Sequence, residues 1–238
     1  MSRRQSGIVA LGVAAALVLG IGVAHARDAS VDPAAIVDIG PVASDLTTST
    51  LTALALARTL PIKGRAPKTG YTRAQFGTGW KDPDHNGCDA RNDALRRYLT
   101  KVVMRGSSRC VVYSGTLVDP YSGAAIRFVR GGARVIDIDH MVALSDAWQK
   151  GAQKLPYATR VALANDPLNL QPTSSHLNGQ KSDGDAATWL PPMKSYRCTY
   201  VARQVAVKAK YHLWVTSAER AAFVRILSNC PTLRAPTR

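Results

Sequence analysis

Asp137-Ile138-Asp139-His140-Met141-Val142-Ala143-Leu144 is followed downstream by Asn165-Asp166-Pro167-Leu168-Asn169-Leu170 and then by His176-Leu177-Asn178-Gly179-Gln180-Lys181. Val135-Ile136-Asp137-Ile138 has the β-branched alternation of a strand, and it runs directly into Asp139-His140. Consecutive strand residues point to opposite faces, so Asp139 and His140 diverge, one able to face a cation and the other a water. Hydrolysis of a phosphodiester needs a deprotonated water, stabilisation of charge on phosphate and help for the leaving oxygen. A histidine beside a carboxylate suits that division of labour. Asn169 and Asn178 add amide oxygens, hard neutral donors suited to Mg²⁺ or Mn²⁺ that leave the cation more positive toward an anionic phosphate. Asp137 shares the strand face of Asp139 and reads as solvated or structural.

Outward from this segment, Val111-Val112-Tyr113, the turn-prone Asp119-Pro120-Tyr121-Ser122-Gly123 and Ala125-Ile126-Arg127-Phe128-Val129 predict a β-hairpin. Asp89 to Thr100 predicts a helix with Ala94, Leu95, Tyr98 and Leu99 on its apolar face. A short helix is expected from Ser145 to Ala152 with Ser145 as its N-cap, then polar chain from Pro172 through Asp185, and a basic helical stretch from Tyr200 to Ser228. Asp45 to Leu60 carries Leu51, Leu54 and Leu56 near helical spacing, and Lys63 to Lys68 is a basic loop broken by Gly64 and Pro67.

The first 26 residues read as a secretory signal, with Arg3 and Arg4, an apolar run from Gly7 to Ala24 and an Ala24-His25-Ala26 cleavage site. The alternative is an uncleaved anchor helix. Residues 27–60 then form a linker with a helix at its end, and 61–235 one catalytic domain. After cleavage no stable membrane association is expected. A formal net charge of +15 favours a polyanionic partner, whether nucleic acid, anionic lipid or wall polymer. Four cysteines in an exported chain imply two disulfides. Of the pairings open to them, Cys88–Cys110 with Cys198–Cys230 is preferred because each closes a local loop on one side of the central segment. A four-cysteine zinc site is disfavoured because no C-x2-C pair occurs.

Asp139-His140-x-Val142-x-Leu144, Asn165-Asp166-Pro167-x-Asn169-Leu170 and Asn178-x-x-Lys181, in that order, resemble the HNH nuclease superfamily. More narrowly, the chain resembles secreted HNH proteins related to the C-terminal nuclease domain of modification-dependent restriction enzymes. Gly70-Tyr71-Thr72-Arg73, Asn86-Gly87-Cys88-Asp89, Asp183-Gly184-Asp185 and Trp189-Leu190-Pro191-Pro192 extend that likeness. The resemblance implies an α+β fold with a ββα-metal (HNH/His-Me finger) core, flanking helices and disulfides. It implies His140 as general base, Asp139 and Asn178 as ligands of one divalent metal ion, Asn169 as the residue orienting the histidine loop, and Lys181 at phosphate. Many relatives carry a histidine where this chain has Asn178, so His176 competes for that ligand role. The implied activity is metal-dependent, sequence-tolerant endonucleolytic cleavage of DNA outside the cytoplasm. The alternatives are action also on RNA, or a non-catalytic basic binding protein on a degenerate HNH frame.

A second motif, Asp82-Pro83-Asp84-His85-Asn86-Gly87 with Asp93 at the twelfth position, has the spacing of a calcium loop and precedes a helix. An ordinary Asx-rich turn uses the same residues.

Overall fold

A computed structural model describes residues 51–237. The secretory signal and most of the following linker lie outside these residues.

The local chemistry that starts each helix is visible in its cap. Helix α1 (Ala53–Thr59) is capped by Thr52, whose side chain accepts from the Ala55 amide at 3.2 Å. Asp89 caps α2 (Ala90–Tyr98) through the Asn92 amide at 2.8 Å, satisfying a donor that the first helical turn leaves open. The helix ends at Tyr98, earlier than its apolar spacing predicts. Leu99–Met104 instead forms strand β1, which pairs antiparallel with β2 (Val112–Val118), and β2 pairs with β3 (Ala125–Val129). The β-branched Val102-Val103 pair favours this extended ending. Strands β2 and β3 form the expected hairpin, with Val118 opposite Ala125. Its turn is closed by Gly123 at φ +80°, donating to the Asp119 carbonyl at 2.7 Å.

Strand β4 (Ile136–His140) pairs antiparallel with β5 (Leu170–Ser174), placing Asp139 opposite Gln171 and His140 opposite Leu170. The chain between them carries α3 (Leu144–Gln149) and α4 (Tyr157–Asn165). Helix α3 starts one residue before the expected cap. Ala143 precedes it, and the Ser145 hydroxyl instead donates to Asp183 Oδ2 at 3.1 Å. The stretch expected to be polar chain holds β5 and then α5 (Ser175–Lys181), which packs on both β4 and β5. The basic C-terminal stretch is two helices, α6 (Arg197–Lys210) and α7 (Ser217–Leu227), with His212 at φ +52° in the break.

Two apolar cores result. One lies between α2 and the strands, with Leu95, Leu99, Val112, Leu117, Ile138 and Leu170. The other joins α1, α3, α6 and α7 around Tyr200, Val205, Leu213 and Phe223. Cys88–Cys110 ties the loop before α2 to the chain entering β2, and Cys198–Cys230 ties α6 to the end of α7. Both are the preferred pairings. The fold is therefore mixed α+β, with small sheets and two disulfides. Among the described residues no helix is long and apolar enough to cross a membrane.

Candidate active site

The end of β4 delivers Asp139 and His140 side by side, and both side chains are largely buried, at 4% and 6% exposure. The backbone turn that follows is held from several directions. Asn169 accepts at Oδ1 from the Val142 amide at 2.8 Å and donates from Nδ2 to the Leu163 carbonyl at 3.1 Å. Its own carbonyl accepts from the Met141 amide at 2.7 Å, while Gln204 donates to the Met141 carbonyl at 2.7 Å. Asn169 is wholly buried, so it is a clamp on the histidine-bearing turn rather than a group open to a ligand.

His140 Nε2 lies 2.9 Å from the Ala164 carbonyl oxygen. A carbonyl only accepts, so Nε2 carries the hydrogen and Nδ1 keeps the lone pair. Burial, reinforced by the nearby cations Arg73 and Lys181, pushes the imidazole down to about 3 despite the Ala164 bond. The ring is thus neutral at ordinary pH, the form that accepts a proton. The Trp80 indole lies parallel to it within 8°, centroids 5.9 Å apart.

Asp139 Oδ2 accepts from the Tyr121 hydroxyl at 2.5 Å, and Oδ1 from the Lys181 ammonium at 2.9 Å. Tyr121 is wholly buried; burial and then Asp139 raise its hydroxyl well above the usual range, so it stays a donor. Lys181 also donates to the His140 carbonyl at 2.8 Å and is 1% exposed. This corrects the expectation of a lysine at phosphate. Leu177 and Lys181 are four apart on the inward face of α5, which carries the ammonium beneath the site and onto Asp139. The exposed cations at the rim are Arg73 and Lys68; Lys68 is 3.2 Å from Asp183, and Arg73 has no hydrogen-bond or ion-pair partner among the described residues.

Asp139, His140 and Asn178 line one polar cavity of about 300 Å³ together with Lys68, Arg73 and Asp183. Asn178 Nδ2 donates to Asp137 Oδ2 at 3.2 Å, which leaves its Oδ1 without that partner. Asp137 therefore belongs to the support of the site. Against the upward push of burial, bonds from Arg134 and Asn178 hold its carboxyl below the usual range. His176 is exposed, 3.1 Å from Gln180, and does not line the cavity; on α5 it projects away from Asn178. Asp139 and Asn178 are the hard oxygen donors here. Each Asp139 oxygen accepts one bond and retains a further lone pair, a donor set that fits a divalent cation keeping most of its coordination for water and phosphate.

In the Asp82–Asp93 loop, Asp82 accepts from the Asn86 and Gly87 amides at 3.1 and 2.8 Å. Asn86 Nδ2 is shared between Asp84 and Asp93 at 3.1 Å each. Asp84, Asn86 and Asp93 are thus joined through their side chains, while Asp82 holds the backbone of an Asx-rich turn that leads Cys88 into α2. Among the described residues no group of three or more His, Cys, Asp or Glu is arranged to hold a metal ion.

Sequence reasoning assigned no role to Tyr121, Trp80 or Arg73. Tyr121 carried only a turn signal, and Arg73 appeared solely within the Gly70-Tyr71-Thr72-Arg73 block.

Residues 89–226 match the family model described as GmrSD restriction endonucleases, C-terminal domain. A protein of Arthroderma benhamiae described as an uncharacterized secreted protein is 37% identical over 184 residues, covering 76% of this chain and 86% of that relative. No solved structure matches the chain. The matched segment spans β4, Asn169, β5 and α5 and more than half of the sequence, so the chain belongs to the HNH-type family of GmrSD restriction endonuclease C-terminal domains.

Proposed function

We propose that the protein is a secreted, metal-dependent endonuclease that hydrolyses DNA phosphodiesters with little sequence preference, and that β4, β5 and α5 are its ββα-metal core. The carrying observation is the His140 ring: Nε2–H is held by the Ala164 carbonyl while the imidazole borders the cavity of Asp139 and Asn178. That pattern supports a neutral base with its Nδ1 lone pair available for a water proton. Asn169 holds the turn after His140, fixing where that lone pair points. Lys181 and Tyr121 hold Asp139 in place.

Asp139 and Asn178 are the residues that would hold Mg²⁺ or Mn²⁺, which supplies charge stabilisation on the phosphate and on the leaving oxygen. Arg73 and Lys68 at the rim would steer the phosphodiester into the cavity, as the net charge of +15 favours on a longer range. The two disulfides and the secreted relative support action outside the reducing cytoplasm after signal removal.

Nicking of supercoiled plasmid by oxidised protein with magnesium, manganese or chelator tests the reading. Metal-dependent nicking, lost in His140→Ala and weakened with a raised metal requirement in Asp139→Ala, is expected. Well-folded protein inert with every ion would leave a basic nucleic-acid-binding protein on an HNH frame. Undiminished magnesium-dependent cleavage by Asp139→Ala would remove Asp139 from the ligand set.

A further inference from the structure

His140 is a wall common to two cavities. Beside the polar one lies a second, also about 300 Å³, and the two share Arg73, His140 and Leu144. The second cavity differs in chemistry, with Phe76, Trp80, Leu144 and Ala164 supplying an aromatic and aliphatic lining. We propose that it is a nucleobase subsite, which takes the base next to the scissile phosphate out of its stack and gives the enzyme a preference for single-stranded nucleic acid. The proposal rests on the nuclease reading above.

Three observations lead there. In a nucleic acid strand a nucleoside adjoins every phosphate, so a phosphate beside Asp139 and His140 brings a sugar and base within reach of the cavity on the far side of the imidazole. That far side is where the lining becomes more apolar, and the half-buried Trp80 lies there with its ring parallel to His140 at 5.9 Å between centroids, so a base stacks against the edge of this ring pair rather than between the two rings. Every base has a π face, and stacking on such a ring is indifferent to sequence.

The cavity is also built rather than incidental. The segment from Arg73 to Trp80 begins as a short 3-10 helix and then wraps over the site through Gly77 at φ +95° and Gly79 at φ +67°. A side chain at Gly77 would sit 3.1 Å from Val161, so the close wrap requires glycine there. Arg160 donates to the Gln75 carbonyl at 2.7 Å, and Asn165 accepts from the Lys81 amide at 2.8 Å, fastening both ends of the wrap to α4.

At its rim, Arg73 and the exposed Thr78 have no polar partner among the described residues. They remain available to hydroxyls and base edges. A base inside a duplex is covered by its neighbours and cannot enter a walled cavity without being unpaired and unstacked, which costs a duplex substrate and spares a single strand.

The test uses the whole oxidised protein, the divalent ion that supports plasmid nicking, and a labelled oligonucleotide supplied single-stranded, as a duplex, and as single strands with one abasic residue moved along the sequence. Single strand is expected to be cut roughly ten- to a hundredfold faster than duplex, with cleavage beside the abasic residue reduced by a similar factor. Trp80→Ala should erase the difference between normal and abasic positions, and Trp80→Phe should restore it. That ratio is the readout because a general loss of activity from disturbing His140 leaves it unchanged. Equal cutting at normal and abasic positions by the wild-type protein, or faster cutting of duplex, would overturn the subsite while leaving the nuclease reading intact. Failure to cut any of the substrates, or plasmid, would overturn both.

Discussion

Two regions of this protein bury charge, and they do it to opposite ends. In the helical core Lys150 and Lys208, both wholly buried, are surrounded by Asp146, Asp185 and Glu219 at 2.6 to 3.1 Å, with Arg65 closing the edge at 2.9 Å from Asp185. Every charge there faces an opposite charge. Burial alone would lower Lys208, yet Asp146 and Glu219 outweigh it and raise the ammonium above its usual range. In the cleft Lys181 and Asp139 are just as close at 2.9 Å, but their neighbours His140, Asn178 and Arg73 keep a lone pair, an amide oxygen and a guanidinium open to a cavity. Burial and charge do not by themselves mark a site. Polar valence left open toward a cavity does.

The largest effect that separates the regions is expected from His140→Ala. Loss of a general base should lower turnover by about a hundred- to ten-thousandfold with nucleic acid binding retained. A comparable loss of binding in folded protein would show that His140 holds substrate rather than activating water. Glu219→Ala is the matching cut in the other region. It leaves two buried lysines short of a carboxylate and should cost about 3–5 kcal/mol of stability in urea unfolding, with the turnover of the folded fraction preserved. A small stability loss with a large loss of turnover would break the division between the two regions. Asn169→Ala sits between them. It releases the turn carrying His140, and a displacement of the base by about 1 Å is enough for roughly a hundredfold fall in kcat with KM nearly constant. A change confined to KM would mean that Asn169 meets substrate instead of positioning the base.

The legibility of these regions in the sequence differs for the same physical reason. The hairpin of β2 and β3 and the strand ending in Asp139-His140 rest on local periodicity and turn chemistry, and they were readable. Asn169 was assigned to orienting the histidine turn, and its hydrogen bonds lie on that turn. Strand β1 was hidden because Leu99 continues the apolar spacing of α2 and only pairing with β2 turns it into a strand. The family resemblance alone puts Lys181 at phosphate, and nothing local in the sequence shows that its position one turn after Leu177 faces β4 and pairs it with Asp139. Tyr121 and Trp80 come from segments distant in sequence from the motif, and nothing local distinguishes an aromatic that will meet Asp139 or His140. The ion network was equally unreadable, since Asp146, Asp185 and Glu219 meet only after α3, the chain beyond α5 and α7 assemble.

Acid separates the two regions most finely. His140 sits at about 3 in the folded protein and near 6.5 when unfolded, so between those values the unfolded chain binds a proton that the folded chain does not. Its contribution to stability is therefore complete above pH 6.5 and is lost as the pH falls toward 3. Asp185 belongs to a lower window. Against the upward push of burial, Lys150 and then Arg65 hold its carboxyl below 3.8, and the stability it carries fades only as the pH falls below that value. Urea unfolding in chelator should thus lose about 2 kcal/mol between pH 6.5 and 4.5. His140→Asn should remove most of that slope while leaving the loss that Asp185 carries as the pH falls below 3.8. An unchanged slope in His140→Asn would place the acid-sensitive group elsewhere and would mean that burial does not hold the imidazole neutral down to acid pH.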